Sequence, residues 1–172
     1  MFLNSKQKTI GGAVSILAIA VLFSKLLGVL RDRLLAGSFG ASIDLDIYFA
    51  AFRIPDLIYG IIFAGGVLVS LLPLFSDIYN ENKEKSWDFI NNLINIFLVV
   101  FVVVGILFFV FSPELVNKMV SGFDESAVQK TVELTRLIFI SVLFFGLSSI
   151  FSTILNYFNR FVAYSLAPIL YN

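Results

Sequence analysis

The chain contains neither cysteine nor histidine. The first absence removes disulfides, thiolate nucleophiles and thiolate metal sites; the second removes the usual proton switch near neutrality and the commonest metal ligand. Both argue against hydrolase triads and zinc chemistry, so neither an enzymatic activity nor a metal or cofactor is expected. Charge is scarce as well: 14% of residues, twelve basic and twelve acidic, with a net charge of zero. That balance leaves no electrostatic footprint for nucleic acid.

What the chain has instead is apolar surface. Of 172 residues 59% are hydrophobic, against roughly 45–50% in soluble domains, and mean hydropathy is +0.95. Twenty phenylalanines fall largely within long apolar runs, more than a water-soluble fold of this size has interior to hide. Lipid is the natural solvent. Four runs meet the roughly 17–25 residues that a membrane-crossing helix requires: Ile10–Leu30, Ile47–Phe75, Phe89–Phe111 and Val132–Phe158. A fifth begins near Ala163 and extends to Asn172, as if the chain were the N-terminal piece of something longer. The fold class expected is an all-α polytopic membrane protein, one continuous helical unit over 1–172. Lys6 and Lys8 ahead of the first run resemble a secretory signal, but twenty-one apolar-rich residues exceed a signal core of about 7–15, and the run reads as a retained helix.

Between the second and third runs, Asp77–Asp88 reads as a charged loop; between the third and fourth, Pro113–Lys130 reads as a short interfacial helix ending near Gly122. The positive-inside rule does not fix orientation. Lys6, Lys8, Lys83, Lys85 and Arg160 on one side balance Arg31, Arg33, Lys118, Lys130 and Arg136 on the other; assigning Arg31 to a cavity favours a cytoplasmic N-terminus.

Polar residues inside the runs carry the functional signal, because a charge at the centre of a spanning helix costs about 2.5–3.5 kcal/mol and is normally turned toward protein or water. In the first run Ser24, Gly28 and Arg31 share a face, with Lys25 and Asp32 on a neighbouring one. Two readings stay open: a cationic lining for an anionic headgroup, with Gly28 permitting a bend or close helix contact, or a snorkelling Lys25 and a boundary marked by Arg31–Arg33. In the second run Asp46, Arg53 and Asp56 can lie along one stripe, with Pro55 as a kink and Gly65 and Gly66 allowing close approach. Arg53 and Asp56 facing lipid would cost roughly 5–7 kcal/mol in sum, so both are expected to face inward. Either they form an architectural salt bridge or Arg53 contacts substrate. Ser141, Ser148 and Ser152 share a face of the fourth run, extended by Asn156 and Asn159; the spacing suits helix packing, with a hydrated pathway as the other reading.

Four strings give the chain a family resemblance: SKLLGVLRDRLLAGSFGAS (Ser24–Ser42), DIYFAAFRIPD (Asp46–Asp56), AGGVLVSLLPLFSDIY (Ala64–Tyr79) and LNYFNRFVAYSLAPILYN (Leu155–Asn172). In order and spacing they resemble MurJ, also called MviN, the lipid II flippase family of the multidrug/oligosaccharidyl-lipid/polysaccharide exporter superfamily. The resemblance implies a fourteen-helix protein of the bacterial cytoplasmic membrane, of which this chain supplies helices one to four and the start of five. It implies alternating access around a cationic cavity that carries lipid II, the undecaprenyl-pyrophosphate-linked disaccharide pentapeptide, to the outer leaflet for peptidoglycan synthesis, with lipid II and membrane lipids as the partners. Lys25 then stands where the family has a cavity Arg next to Ser24, Arg31 falls on a second cavity Arg, and Asp46 on the acid that opens the second helix. Three positions depart from the pattern. Lys25 is a point charge rather than a fork, Tyr59 and Gly60 replace an Arg pair, and Gly65 replaces a Glu. Two other functions remain compatible with the residues: transport of another polyprenyl-linked saccharide or ion-coupled export on the same fold, and a membrane scaffold whose polar stripes serve packing alone.

Overall fold

The computed structural model describes residues 10–62 and 68–163, together with Ser165 and Ile169. Among them the chain is helical with no strand: α1 (Ile10–Phe39), α2 (Ile43–Tyr59), α3 (Leu68–Glu81), α4 (Lys83–Met119) and α5 (Glu125–Tyr157). Three of these, over Val14–Phe39, Lys83–Met119 and Glu125–Tyr157, are long and apolar enough to cross a bilayer. The chain is a multi-pass membrane protein. Gly65 and Gly66 lie outside the described residues, as does most of the segment 163–172 where a fifth span was expected.

Short polar or glycine signals set several of the described helix ends. Gly40 takes φ +59° and its N–H donates to the Ala36 carbonyl at 2.9 Å, a left-handed stop that a side chain would strain. Ser42 then caps α2 by accepting from the Leu45 N–H. Asn82 Oδ1 accepts from the Glu84 and Lys85 N–H groups at 2.8 and 3.1 Å and caps α4, and Asp124 caps α5 through the Ala127 N–H at 2.9 Å. At its far end α5 stops at Asn159, φ +55°, where the Arg160 N–H reaches back to the Leu155 carbonyl at 2.8 Å.

Two segments read as connectors are helix. Asp77–Asp88 is not a loop: α3 and α4 meet across the single residue Asn82. Nor is there a separate interfacial helix after Pro113, since α4 runs through it to Met119. Its 37 residues span about 55 Å, well beyond a hydrocarbon core of about 30 Å. The charged ends mark where lipid stops, not where the helix does.

α5 is the element on which the others are assembled. Its buried line, Ala127, Thr131, Thr135, Val142, Gly146, Ile150 and Ile154, is mostly small or β-branched and lets neighbours approach closely. Thr131 and Thr135 hide their hydroxyls by donating to the carbonyls one turn back, at 2.7 and 2.6 Å. α2 packs along the first two-thirds of this line through Ile47, Ala51 and Pro55, and Tyr59 closes the contact with a 2.7 Å hydroxyl hydrogen bond to Ser149. α3 packs farther along, Leu71 and Phe75 meeting Ile150, Ile154, Ile90 and Phe97. So α2 and α3 follow one another down α5, with 63–67 between them outside the described residues. Running antiparallel, α4 completes the layer: Phe139 of α5 stacks between Phe101 and Phe108 at centroid distances of 5.2 and 4.5 Å. α1, by contrast, packs only sparsely, chiefly on α2; it runs unbroken through Gly28 and leaves Ile19, Leu22, Leu26 and Val29 more than 60% exposed.

The two ends of the bundle differ. At one, Phe75, Tyr79, Trp87, Tyr157 and Phe158 form an aromatic cluster of mainly edge-to-face contacts, with Lys83 over the Tyr79 ring, the composition of a membrane–water boundary. At the other, Pro113 interrupts α4. Proline has no N–H, so the carbonyl four residues back, that of Phe109, loses its helical partner. Two donors replace it: the Ser112 hydroxyl of the same helix at 3.2 Å and, from α5, Arg136 Nη2 at 2.7 Å, with Arg136 Nε donating in turn to Ser112 Oγ at 2.8 Å and the guanidinium lying over the Phe109 ring. Arg136, counted above among loop charges, is a structural residue of the helix pair.

Two consequences can be measured by unfolding of the purified protein in detergent. Arg136→Gln is expected to lower stability by about 1–2 kcal/mol; in a Pro113→Ala background, where residue 113 again donates to Phe109, the same change should cost at least about 0.5 kcal/mol less. Strict additivity would show that the proline-freed carbonyl is not what Arg136 serves. At Gly105 an added Cβ would meet Phe139 Cε1 at 3.3 Å, and the ring is held on both faces, so Gly105→Leu should destabilise by about 1–3 kcal/mol and Gly105→Ala by less.

Candidate functional site

The residues singled out in the first two spans fall on α1 and α2, on the side of the chain that α4 and α5 leave uncovered. On α1, Ser24 is buried, with 6% of its surface exposed, and the adjacent Lys25 points outward. Two turns on, Arg31 is half-buried, with Nε and Nη2 both on Asp32 Oδ1 at 3.1 Å. Neighbours in sequence do not face one another on a helix, so this pair forms because the long Arg31 side chain folds back along the axis. Asp32 is the counter-ion of the site, a role that spacing alone does not reveal. Around Arg31, Leu27, Leu30, Leu34, Leu35 and Ser38 line a shallow groove of about 330 Å³. A cation at the edge of an aliphatic surface suits a ligand with an anionic head and a hydrocarbon body.

On α2 the rotation of the helix is fixed by burial. Ala51 and Pro55, against α5, define the inner face. Asp46 and Arg53, seven residues apart, share a line roughly opposite to it, and Asp56 lies between that line and the inner face. All three are exposed within this chain, and Arg53 and Asp56 do not form the architectural salt bridge considered above. Pro55 is the reason: with its ring fully buried against α5, the residues flanking it are turned out. Among the described residues the ion pairs are Arg31–Asp32, Lys118–Glu114 and Lys130–Asp44, the last a 3.9 Å contact between exposed groups. Lys25, Asp46 and Arg53 make none, and each is exposed.

Tyr59 faces α5: it hydrogen-bonds Ser149 and sits edge-on to Phe145 at 6.1 Å, so this side chain serves packing. Ser141 donates to its own helix, to the Ile138 carbonyl at 2.6 Å. Gly60–Ile62 continue α2 as a π-helical turn, after which the description breaks at 63–67. Groups of three or more acidic residues that could hold a metal are absent among the described residues.

A family model described as lipid II flippase MurJ matches residues 35–172. Over 158 residues the chain is 35% identical to the probable lipid II flippase MurJ of Buchnera aphidicola subsp. Schizaphis graminum, covering 90% of this chain and 30% of that protein. It is 31% identical to the lipid II flippase MurJ of Thermosipho africanus, covering 90% and 32%, and 29% identical to that of Burkholderia cenocepacia, covering 88% and 30%. The chain thus spans about a third of the length of these curated relatives. The family match over most of the chain, on a helical membrane bundle, makes this chain a member of the MurJ lipid II flippase family.

Proposed function

We propose that the protein to which this chain belongs translocates lipid II across the bacterial cytoplasmic membrane by alternating access, and that α1 and α2 supply part of its cavity wall. The observation that carries the reading is the placement of Arg31: a guanidinium at the edge of an aliphatic groove on a largely apolar helix. A pyrophosphate-linked polyprenyl saccharide has that same division into anionic head and hydrocarbon tail. Lys25, on the same helix, and Arg53, on the face of α2 turned away from α5, are further exposed cations of these two helices.

In this reading the headgroup displaces Asp32 from Arg31. The guanidinium exchanges one internal carboxylate for phosphate oxygens that it can meet with two parallel N–H bonds. Exchange, rather than capture by a bare cation, keeps the charge compensated when the cavity is empty and the ligand releasable. Asp46 acts as the local acid that limits the net positive charge of the wall. No covalent bond is made or broken, since the side offers charge without a paired nucleophile and base. The related reading, transport of another polyprenyl-linked saccharide, uses the same groups, because none of them contacts the sugar or peptide.

The test is complementation of a strain depleted of its own lipid II flippase by the intact parent gene, with protein level measured in the membrane fraction. Rescue is expected from the parent, loss of rescue at unchanged level from Arg31→Ala, and partial function from Arg31→Lys, which keeps the charge but not the fork. A well-inserted parent that does not rescue would transfer the proposal to a different lipid-linked saccharide; rescue untouched by Arg31→Ala together with Lys25→Ala would leave these positions as packing only.

A further inference from the structure

Away from α1 lies a second feature, which the transport reading does not use. Between α4 and α5 runs an open groove of about 400 Å³ whose lining is almost wholly hydrocarbon: Phe101, Gly105, Ile106 and Phe109 from α4, Phe139 and Ile140 from α5. From Phe101 to Val110 it extends about 14 Å along the helix. Gly105 makes its floor, since any side chain there would press on Phe139. The groove is not a cavity awaiting water, because it has almost no polar atom to hold one.

One end of this groove is charged. Arg136 lies one turn beyond Phe139 and Ile140, its guanidinium 5.6 Å from the centre of the Phe109 ring. Nε and Nη2 are engaged by Ser112 and the Phe109 carbonyl, both neutral acceptors. No carboxylate pairs with it among the described residues, whose ion pairs are those of Arg31, Lys118 and Lys130. Its depth is set by α4: Trp87, in the aromatic cluster at the other end, is twenty-two residues from Phe109, about 33 Å along the axis. With Trp87 at one membrane–water boundary, Arg136 stands at the other, at the level of lipid phosphates. Beyond it Lys130 and Glu133 are exposed, as residues in water should be.

We propose that the α4–α5 groove is a binding site for a resident membrane phospholipid, one acyl chain lying along Gly105 and its phosphate held by Arg136. Charge complementarity selects this occupant over another helix. A helix packed on the groove would cover the hydrocarbon but would have to bring an acid to Arg136 at the bilayer boundary, whereas a phospholipid brings chain and anion in one molecule at the matching depth. Because the guanidinium is held by two bonds and an aromatic face, it is oriented before the lipid arrives. An anionic headgroup is favoured over a zwitterionic one, which carries its own cation beside the phosphate. The site is independent of the transport reading: it shares no residue with it.

The experiment uses the intact protein in nanodiscs containing phosphatidylglycerol or phosphatidylcholine, each with the same photoreactive acyl chain, and maps cross-links by mass spectrometry. Labelling is expected to concentrate on Gly105–Val110 and Ile140, with phosphatidylglycerol favoured about fivefold. The headgroup preference should disappear in Arg136→Gln. Labelling of the groove should be lost in Ile106→Trp, which fills it from an exposed position without touching the Arg136 joint, while labelling of Leu22 and Val29 on α1 is unchanged. Absence of groove labelling would mean that other parts of the protein cover it; labelling equal to that of α1, indifferent to headgroup and to Ile106→Trp, would mean ordinary contact with bulk lipid. Either result overturns the proposal, and neither bears on rescue by the parent gene.

Discussion

In hydrocarbon a carbonyl without a hydrogen-bond partner costs several kcal/mol, and every feature of this chain is arranged around that constraint. Helices satisfy it internally, which is why the described residues contain no strand. Prolines break it: Pro55, Pro73 and Pro113 all sit inside helices, and each frees a carbonyl four residues earlier. At Pro113 the remedy is visible, a guanidinium from the neighbouring helix. The same bond then fixes how α4 and α5 sit against each other, so that the repair of a backbone defect also registers Phe139 between Phe101 and Phe108.

Small residues do for the rest of the bundle what that bond does at its end. Among lipid tails, apolar side chains gain nothing by meeting each other rather than lipid, and close backbone approach has to supply the attraction. α5 offers a continuous line of Ala, Thr, Gly and β-branched residues, and α2 meets it with Ala51 and the flat ring of Pro55. This contact also decides the direction of the charges. With Pro55 buried, Asp46 and Arg53 are turned to the far side of α2, whatever pairing their spacing allows on paper. Packing on one face thereby aims the polar groups on the other.

Hydropathy made the membrane-embedded parts legible, and with them the fold class, because long apolar runs answer directly to the bilayer's thickness. It misplaced helix ends for a physical reason: the bilayer boundary and the helix terminus are different events. α4 leaves lipid near Phe111 but stays helical to Met119 across Pro113, and its start at Lys83 is set by the Asn82 cap, not by the end of charge. Of the candidate site, the charges were legible and their partners were not. Arg31 and Lys25 stand out as charges in an apolar helix, and the family strings give them a context. The Asp32 partnership was not readable, since adjacent helical residues normally diverge. Nor was Arg136 recognisable among charges near a membrane end until Pro113, twenty-three positions earlier, was seen to need a donor.

The sparse packing of α1 sets it apart from the core that α5 organises. Within this chain it is joined to that core by the turn from Gly40 to Ser42 and a light contact with α2, and few buried side chains resist its displacement. The two cations at Lys25 and Arg31 are therefore mounted on the element whose movement would disrupt least. α1 can thus shift against α2 at little cost in buried contacts, carrying its charges with it, while the close-packed helices behind it keep their register.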